Sequence, residues 1–152
     1  ICRCLVGSEM CIRDRVNQAH NALASGKNPQ RMGSAHPNLV PYRAFQASDG
    51  WFVIGVGSDN QWARLCEHLE LENHENWHTN AGRIADRQNI ESIVGEIVAR
   101  YDRQTLESLL EGVPCAPVNT ITEALNDQQS VARGVVTDSN GVQVLASPLR
   151  FY

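Results

Sequence analysis

No uninterrupted apolar run of the roughly 18 to 20 residues that a membrane span requires occurs in this 152-residue chain, and no basic amphipathic stretch suggests surface anchoring. A soluble protein without a membrane partner is expected. An excess of positive charge is also missing. The 13 Lys+Arg stand against 17 Asp+Glu, a formal net charge of -4, which argues against nucleic acid as a partner. The five cysteines form no disulfide framework: Cys2, Cys4 and Cys11 crowd the start, while Cys66 and Cys115 lie far apart. A reducing cytoplasm is the expected compartment. The start lacks Met, a charged head, an apolar core of signal length and a small-residue cleavage site, so no secretory signal is read there. Repeats and low-complexity tracts are absent. With 42% hydrophobic and 20% charged residues the composition is that of a globular domain, not a disordered chain.

What is present changes in texture near residue 16. Residues 1–15, ICRCLVGSEMCIRDR, have neither helical nor strand period, and LVGSEMCIRDR resembles the translation of a sequencing adapter. A natural loose terminus is the alternative, and a Cys-x-Cys metal site completed by Cys11 a more remote one. Without that leader, 10 Lys+Arg face 15 Asp+Glu. The rest remains an acidic domain, and a reading frame entered from an adapter makes it a fragment.

Val16 to Ser25 reads as the last turns of a helix stopped by Gly26. Gly26 to Pro41 holds three of the six prolines and reads as a long loop. Tyr42, Ala44 and Phe45, then Ser48-Asp49-Gly50, then Trp51 to Val56 predict two strands in a hairpin. Ser58 and Gln61 form a capping box for a helix over about 59–70, carrying Trp62, Leu65, Cys66 and Leu69. A second helix is expected from Arg83 or Asp86 to Tyr101, with Ile90, Ile93, Val94, Ile97 and Val98 facing the core. Asp102 caps a third, ended by Gly112, and Val113 to Val118 is extended because two prolines forbid helix. Thr120 and Glu123 box a short helix, Gln128 to Arg133 continues it, and Val135 to Leu145 folds back about Asn140-Gly141. This order predicts an α+β domain with an antiparallel sheet covered by helices on one side.

Several side chains are candidates for chemistry. His68, His74 and His78 among Glu67, Glu70, Glu72 and Glu75 match no metal-site spacing and read as a solvated surface, so no metal is expected. Cys115 reads as a buried thiol on a strand; a nucleophilic role would need a base such as His36. Gly55-Val56-Gly57 lacks the third glycine and the Lys of a phosphate loop. The loop Gly33 to Tyr42 is richer than a connector requires. Gly33 permits close backbone approach, and Ser34, His36 and Asn38 can hydrogen-bond a carbonyl or carboxylate. A proline-stiffened linker is the plain alternative.

Three blocks settle the weighting: VNQAHNALASGKNPQRMGSAHPNLVPYRAFQASDGWFVIGVGSDNQWARLC, TNAGRIADR at 79–87 and GVPCAPVNTITEALNDQQSVARGVV at 112–136. Together, and in order, they closely resemble the class III CoA-transferase (CaiB/BaiF) family over essentially all of residues 16–152. The resemblance implies an enzyme moving CoA from an acyl-CoA donor to a free carboxylic acid, with coenzyme A a substrate and no metal. It implies a large α/β, Rossmann-like domain beside a small α+β domain, in an interlocked homodimer. On that basis residues 16–41 are a linker helix and an active-site-facing loop, 42–145 the small domain and 146–152 the start of a return toward the large one. The family's catalytic Asp belongs to the large domain and no Asp here has its context, so no catalytic residue is assigned and the fragment alone is expected to be inactive. The family's mobile glycine-rich loop corresponds to Gly33–Tyr42, which places Gly33, Ser34, His36 and Asn38 at the site. The run of glycines found in some formyl-CoA transferases is replaced here by Gly-Ser-Ala-His-Pro-Asn.

Two rivals stay open. An α-methylacyl-CoA racemase of the same family would abstract a proton beside the thioester. A stand-alone binding module would keep the small-domain fold without catalysis.

Overall fold

The computed structural model describes residues 16–149, so the expected leader at 1–15 and the last three residues fall outside the described part. Helix α1 (Val16–Ser25) ends as its sequence predicts, with Gly26 at a φ of 68° donating its N–H to the Ala22 carbonyl at 2.8 Å. Strands β1 (Tyr42–Gln46) and β2 (Trp51–Gly55) form the expected hairpin, with Phe45 opposite Phe52. Helix α2 (Asp59–His68) carries the Ser58–Gln61 capping box. A 3-10 turn at Glu75–Trp77 leads into α3 (Asn80–Ala85), α4 (Arg87–Val98) and the Asp102-capped α5 (Arg103–Leu109). The Val-Pro-Cys-Ala-Pro stretch yields β3 (Cys115–Pro117), which adds to β2 and gives the order β1-β2-β3 with all neighbours antiparallel. Helices α6 (Ile121–Asn126) and α7 (Gln128–Ala132) follow, then β4 (Val136–Ser139) and β5 (Val142–Leu145) about Asn140-Gly141, both at positive φ. The fold class is α+β.

Alternation on the strands decides where the core lies. Phe45, Phe52 and Ile54 point one way and are buried with Trp62, Leu65 and Cys66 of α2, Ile90, Val94 and Val98 of α4, and Leu106 of α5. The opposite face carries Tyr42, Ala44, Trp51, Val53 and Ala116, and stays partly open; Trp51 is 51% exposed. Helices therefore cover one side of the three-stranded sheet. Strands β4 and β5 pair only with each other, as a separate ribbon.

Of the two starts expected for the helix running toward Tyr101, the chain takes the one at Asp86: α4 begins at Arg87, and residues 80–85 form the separate helix α3. Thr79 caps α3 by accepting the Gly82 N–H at 3.2 Å, and the chain breaks at Asp86 before α4. The Asp86 carboxylate accepts Trp77 Nε1–H at 3.0 Å, so it serves the core tryptophan and does not cap α4. Gly82 is required by contact: a Cβ there would run into the Asn76 carbonyl oxygen.

Candidate active site

The loop before β1 lies along the free edge of the sheet. The His36 N–H donates to the Tyr42 carbonyl at 2.9 Å, and the Ala44 N–H donates to Ser34 Oγ at 3.0 Å. The loop thus occupies edge groups of β1 that would otherwise be open to another strand. Val40 and Pro41 enter the core region through a cis peptide, and the Pro41 carbonyl accepts Val56 N–H at 2.9 Å.

Of the four predicted site residues, the structure brings His36 and Asn38 together. His36 Nδ1 accepts the Asn38 N–H at 3.1 Å, and His36 Nε2 lies 3.3 Å from the Asn17 side-chain nitrogen. With Nδ1 occupied as an acceptor, the neutral ring carries its proton on Nε2. The oxygen end of the Asn17 amide is then the complementary partner, half a turn about χ2 away. Asn38 and Asn21 exchange two amide hydrogen bonds, at 2.8 and 3.2 Å. One turn of α1 separates Asn17 from Asn21, so the helix presents both to the loop from one face. The His36 ring leans on Tyr42 with centroids 5.3 Å apart, and the Tyr42 ring lies over Gly55 on the open side of the sheet. Ser34 is used differently, as the acceptor for β1. Gly33, at a φ of 60°, has no heavy atom within 4 Å of where a Cβ would sit.

Asn17, Asn21, Asn80, Arg83 and Arg87 were not singled out by sequence. Arg83 is the one buried charged residue among those described. It donates to the carbonyls of Val40 and Trp77 at 2.8 Å each and to Asp59 at 2.9 Å, and stacks its guanidinium 5.3 Å from the Trp62 ring. For Asn80, Arg83 and Arg87 the available signal was the block TNAGRIADR itself, in which polar residues recur three and four positions apart.

The other candidates fall away from the loop. Cys115 is half-buried on β3, its thiol pushed up by burial and then by Glu107, the reverse of what a nucleophilic thiolate needs. His36 is engaged with Asn17, Asn38 and Tyr42. His68 bonds the Glu111 carbonyl, His74 packs edge-on against Trp77 and His78 bonds the Asn73 carbonyl. Among the described residues no three His, Cys, Asp or Glu side chains gather as a metal site. No helix among them is long and apolar enough to cross a membrane.

The sequence model of CoA-transferase family III matches residues 8–152. The chain belongs to that family. The succinate–glutarate CoA-transferase of Agrobacterium fabrum is 35% identical over 127 residues, covering 80% of this chain and 32% of the relative. The succinyl-CoA:mesaconate CoA-transferase of Haloarcula hispanica is 38% identical over 115 residues, covering 74% and 29%. A CaiB/BaiF family protein from Brucella suis superposes with a TM-score of 0.76 at 42% identity, over 89% of this chain and 37% of that one. This family III chain therefore spans about a third of the length of the relatives it matches.

Proposed function

We propose that this chain is the small-domain part of an acyl-CoA:carboxylate CoA-transferase, with an aspartyl carrier supplied by sequence outside it. In that chemistry an Asp carboxylate attacks the thioester, passes through an anhydride with the acyl group and holds CoA as an aspartyl thioester until the acceptor takes it. The observation that carries the proposal is the loop 33–42. It is built onto the sheet edge in a stretch of family-matching sequence, and it gathers the His36 imidazole, the Asn38 amide and the Tyr42 ring at the corner of an open sheet face. A substrate carboxylate or thioester oxygen would take the place of Asn17 at His36 Nε2, and Gly33, Ser34, His36 and Asn38 are proposed to face it. Both relatives named above carry dicarboxylates in their names, so succinyl-CoA as donor and a short dicarboxylate as acceptor are the substrates of choice. A homodimer in a reducing cytoplasm completes the proposal.

The test is a full-length protein recovered by reading outward from the Val16 codon, incubated with succinyl-CoA and glutarate or mesaconate. Transfer of CoA to the acceptor is expected, with an aspartyl thioester trapped by hydroxylamine. Exchange of the α-proton of a methylacyl-CoA in place of transfer would make it the racemase. A natural start close to Val16, with no large domain upstream, would favour a binding module.

A further inference from the structure

One side of the loop is held by side chains whose hydrogen bonds to it go to its backbone. Asn80, the first residue of α3, makes two hydrogen bonds with the loop backbone. Its Nδ2 donates to the Asn38 carbonyl at 2.8 Å and its Oδ1 accepts the Val40 N–H at 3.3 Å. A side-chain amide bonded to residues two apart copies the pairing of a neighbouring strand. Three residues later Arg83 takes the Val40 carbonyl, and four after that Arg87 donates to the Pro37 carbonyl at 2.8 Å. Arg87 is itself fixed by Glu91, only 10% exposed, which also receives Arg43 of β1 at 2.7 Å. Asn80 and Arg83 share one face of α3 and Arg87 opens α4 just past the break at Asp86, so the two helices together grip the backbone of 37–40 while α1 bonds the side chains of His36 and Asn38.

We infer that Asn80, Arg83 and Arg87 are positioning residues that set the path of residues 37–40 and through it the orientation of His36 and Asn38. This rests on the proposed placement of the loop at the active site. The loop carries a loop's composition, yet the carbonyls of Pro37, Asn38 and Val40 and the N–H groups of His36, Asn38 and Val40 are all engaged. Such a segment is expected to exchange its amides slowly, like structure, and not like a free lid.

Asn80 is the residue to change, because Arg83 is needed by the core. In the 152-residue chain, Asn80→Ala is expected to speed hydrogen exchange at the Val40 amide by about tenfold or more, leaving Leu65 and Val94 unchanged. Asn80→Asp keeps the acceptor and is expected to preserve most of the Val40 protection while freeing the Asn38 carbonyl. In the full-length enzyme, Asn80→Ala is expected to lower kcat by about tenfold with the KM for acyl-CoA within about twofold, the signature of misplaced groups. Unchanged exchange at Val40 would overturn the clamp. Faster exchange with unchanged kcat, in an enzyme that His36→Ala does disable, would overturn the positioning role. If His36→Ala also leaves kcat unchanged, the loop's placement at the site fails, and the inference with it; the exchange data then report only the clamp.

Discussion

Arg83 is a buried charge made tolerable by complete pairing: two carbonyls, one carboxylate and an aromatic face account for its guanidinium. Replacing it with a shape-alike apolar residue leaves the Val40 and Trp77 carbonyls without a donor in a dry place. Arg83→Met is therefore expected to lose about 3 to 5 kcal/mol in urea unfolding. Arg83→Lys should lose nearly as much, because one ammonium cannot serve three acceptors in a fork. A urea midpoint unmoved by either change would contradict this account. Cys66, on the core face of α2, shows the complementary case of a group kept neutral. Burial, only partly opposed by Arg83, pushes its thiol up to about 11 from an ordinary 9.0. Between those values the unfolded chain ionises and the folded one does not, so stability falls as pH rises from 9 toward 11. At pH 8, iodoacetamide labelling of Cys66 should rise only through the urea transition; rapid labelling in native buffer would sink the assignment.

Elements here are joined by side chains as much as by packing, and the start of α6 is an instance. Arg103, at the start of α5, donates to Asp49 in the β1–β2 turn at 3.3 Å, to the Val118 carbonyl at 3.1 Å and to Glu123 in α6 at 2.9 Å. Arg103 first, and then the N–H and hydroxyl of Thr120, hold the Glu123 carboxyl down to about 2 from an ordinary 4.5. A depressed carboxyl contributes stability that is present above 4.5 and lost as pH falls toward 2. The melting temperature should therefore drop over that window, and Glu123→Gln, already lower at pH 7, should converge with the parent by pH 2. Parallel curves across the window would show that Glu123 is not the group responsible. The Thr120–Glu123 box was legible from spacing alone, as were the Ser58 box and both hairpins, because each rests on residues at most a few positions apart. The separate helix α3 was not legible, although Asp86 was one of the two starts expected for α4. It depends on Asp86 turning to Trp77 and on Gly82 meeting Asn76, contacts that no period encodes. The same holds at the proposed site, where Gly33, Ser34, His36 and Asn38 stood out by chemistry in a loop. Their holders Asn17, Asn80 and Arg87 sit in helices up to 50 residues away in sequence, and only the fold pairs them.

At the scale of the whole molecule, the described residues divide into a well-buried half and a half with little interior. The core gathers around β1-β2-β3, α2 and α4, whereas α1, α6, α7, β4 and β5 contribute no buried residue. Leu23 on α1 is 82% exposed, and Leu145 on β5 is 70% exposed beside Val142 and Val144. Between α6–α7 and the β4–β5 ribbon lies a groove of about 620 Å³, with Leu125, Val131, Val136, Val144 and Leu145 among its lining residues. A two-stranded ribbon is marginal in water by itself, and an open apolar patch of this kind is where soluble chains associate. The proposal of a longer enzyme accounts for both features, since the remaining two thirds of a relative's length would have surface to meet them. The isolated chain should therefore sediment as a concentration-dependent mixture and bind a hydrophobic dye. Val144→Lys together with Leu145→Lys should shift it toward monomer without altering the core, as judged by Trp62 and Trp77 fluorescence. Lysine is suited to the purpose because natural sheets use it to discourage edge association. A parent chain that sediments as a single monomer at every concentration and binds no dye would instead mark the ribbon and α1 as self-sufficient surface, and would turn the argument toward a free-standing module.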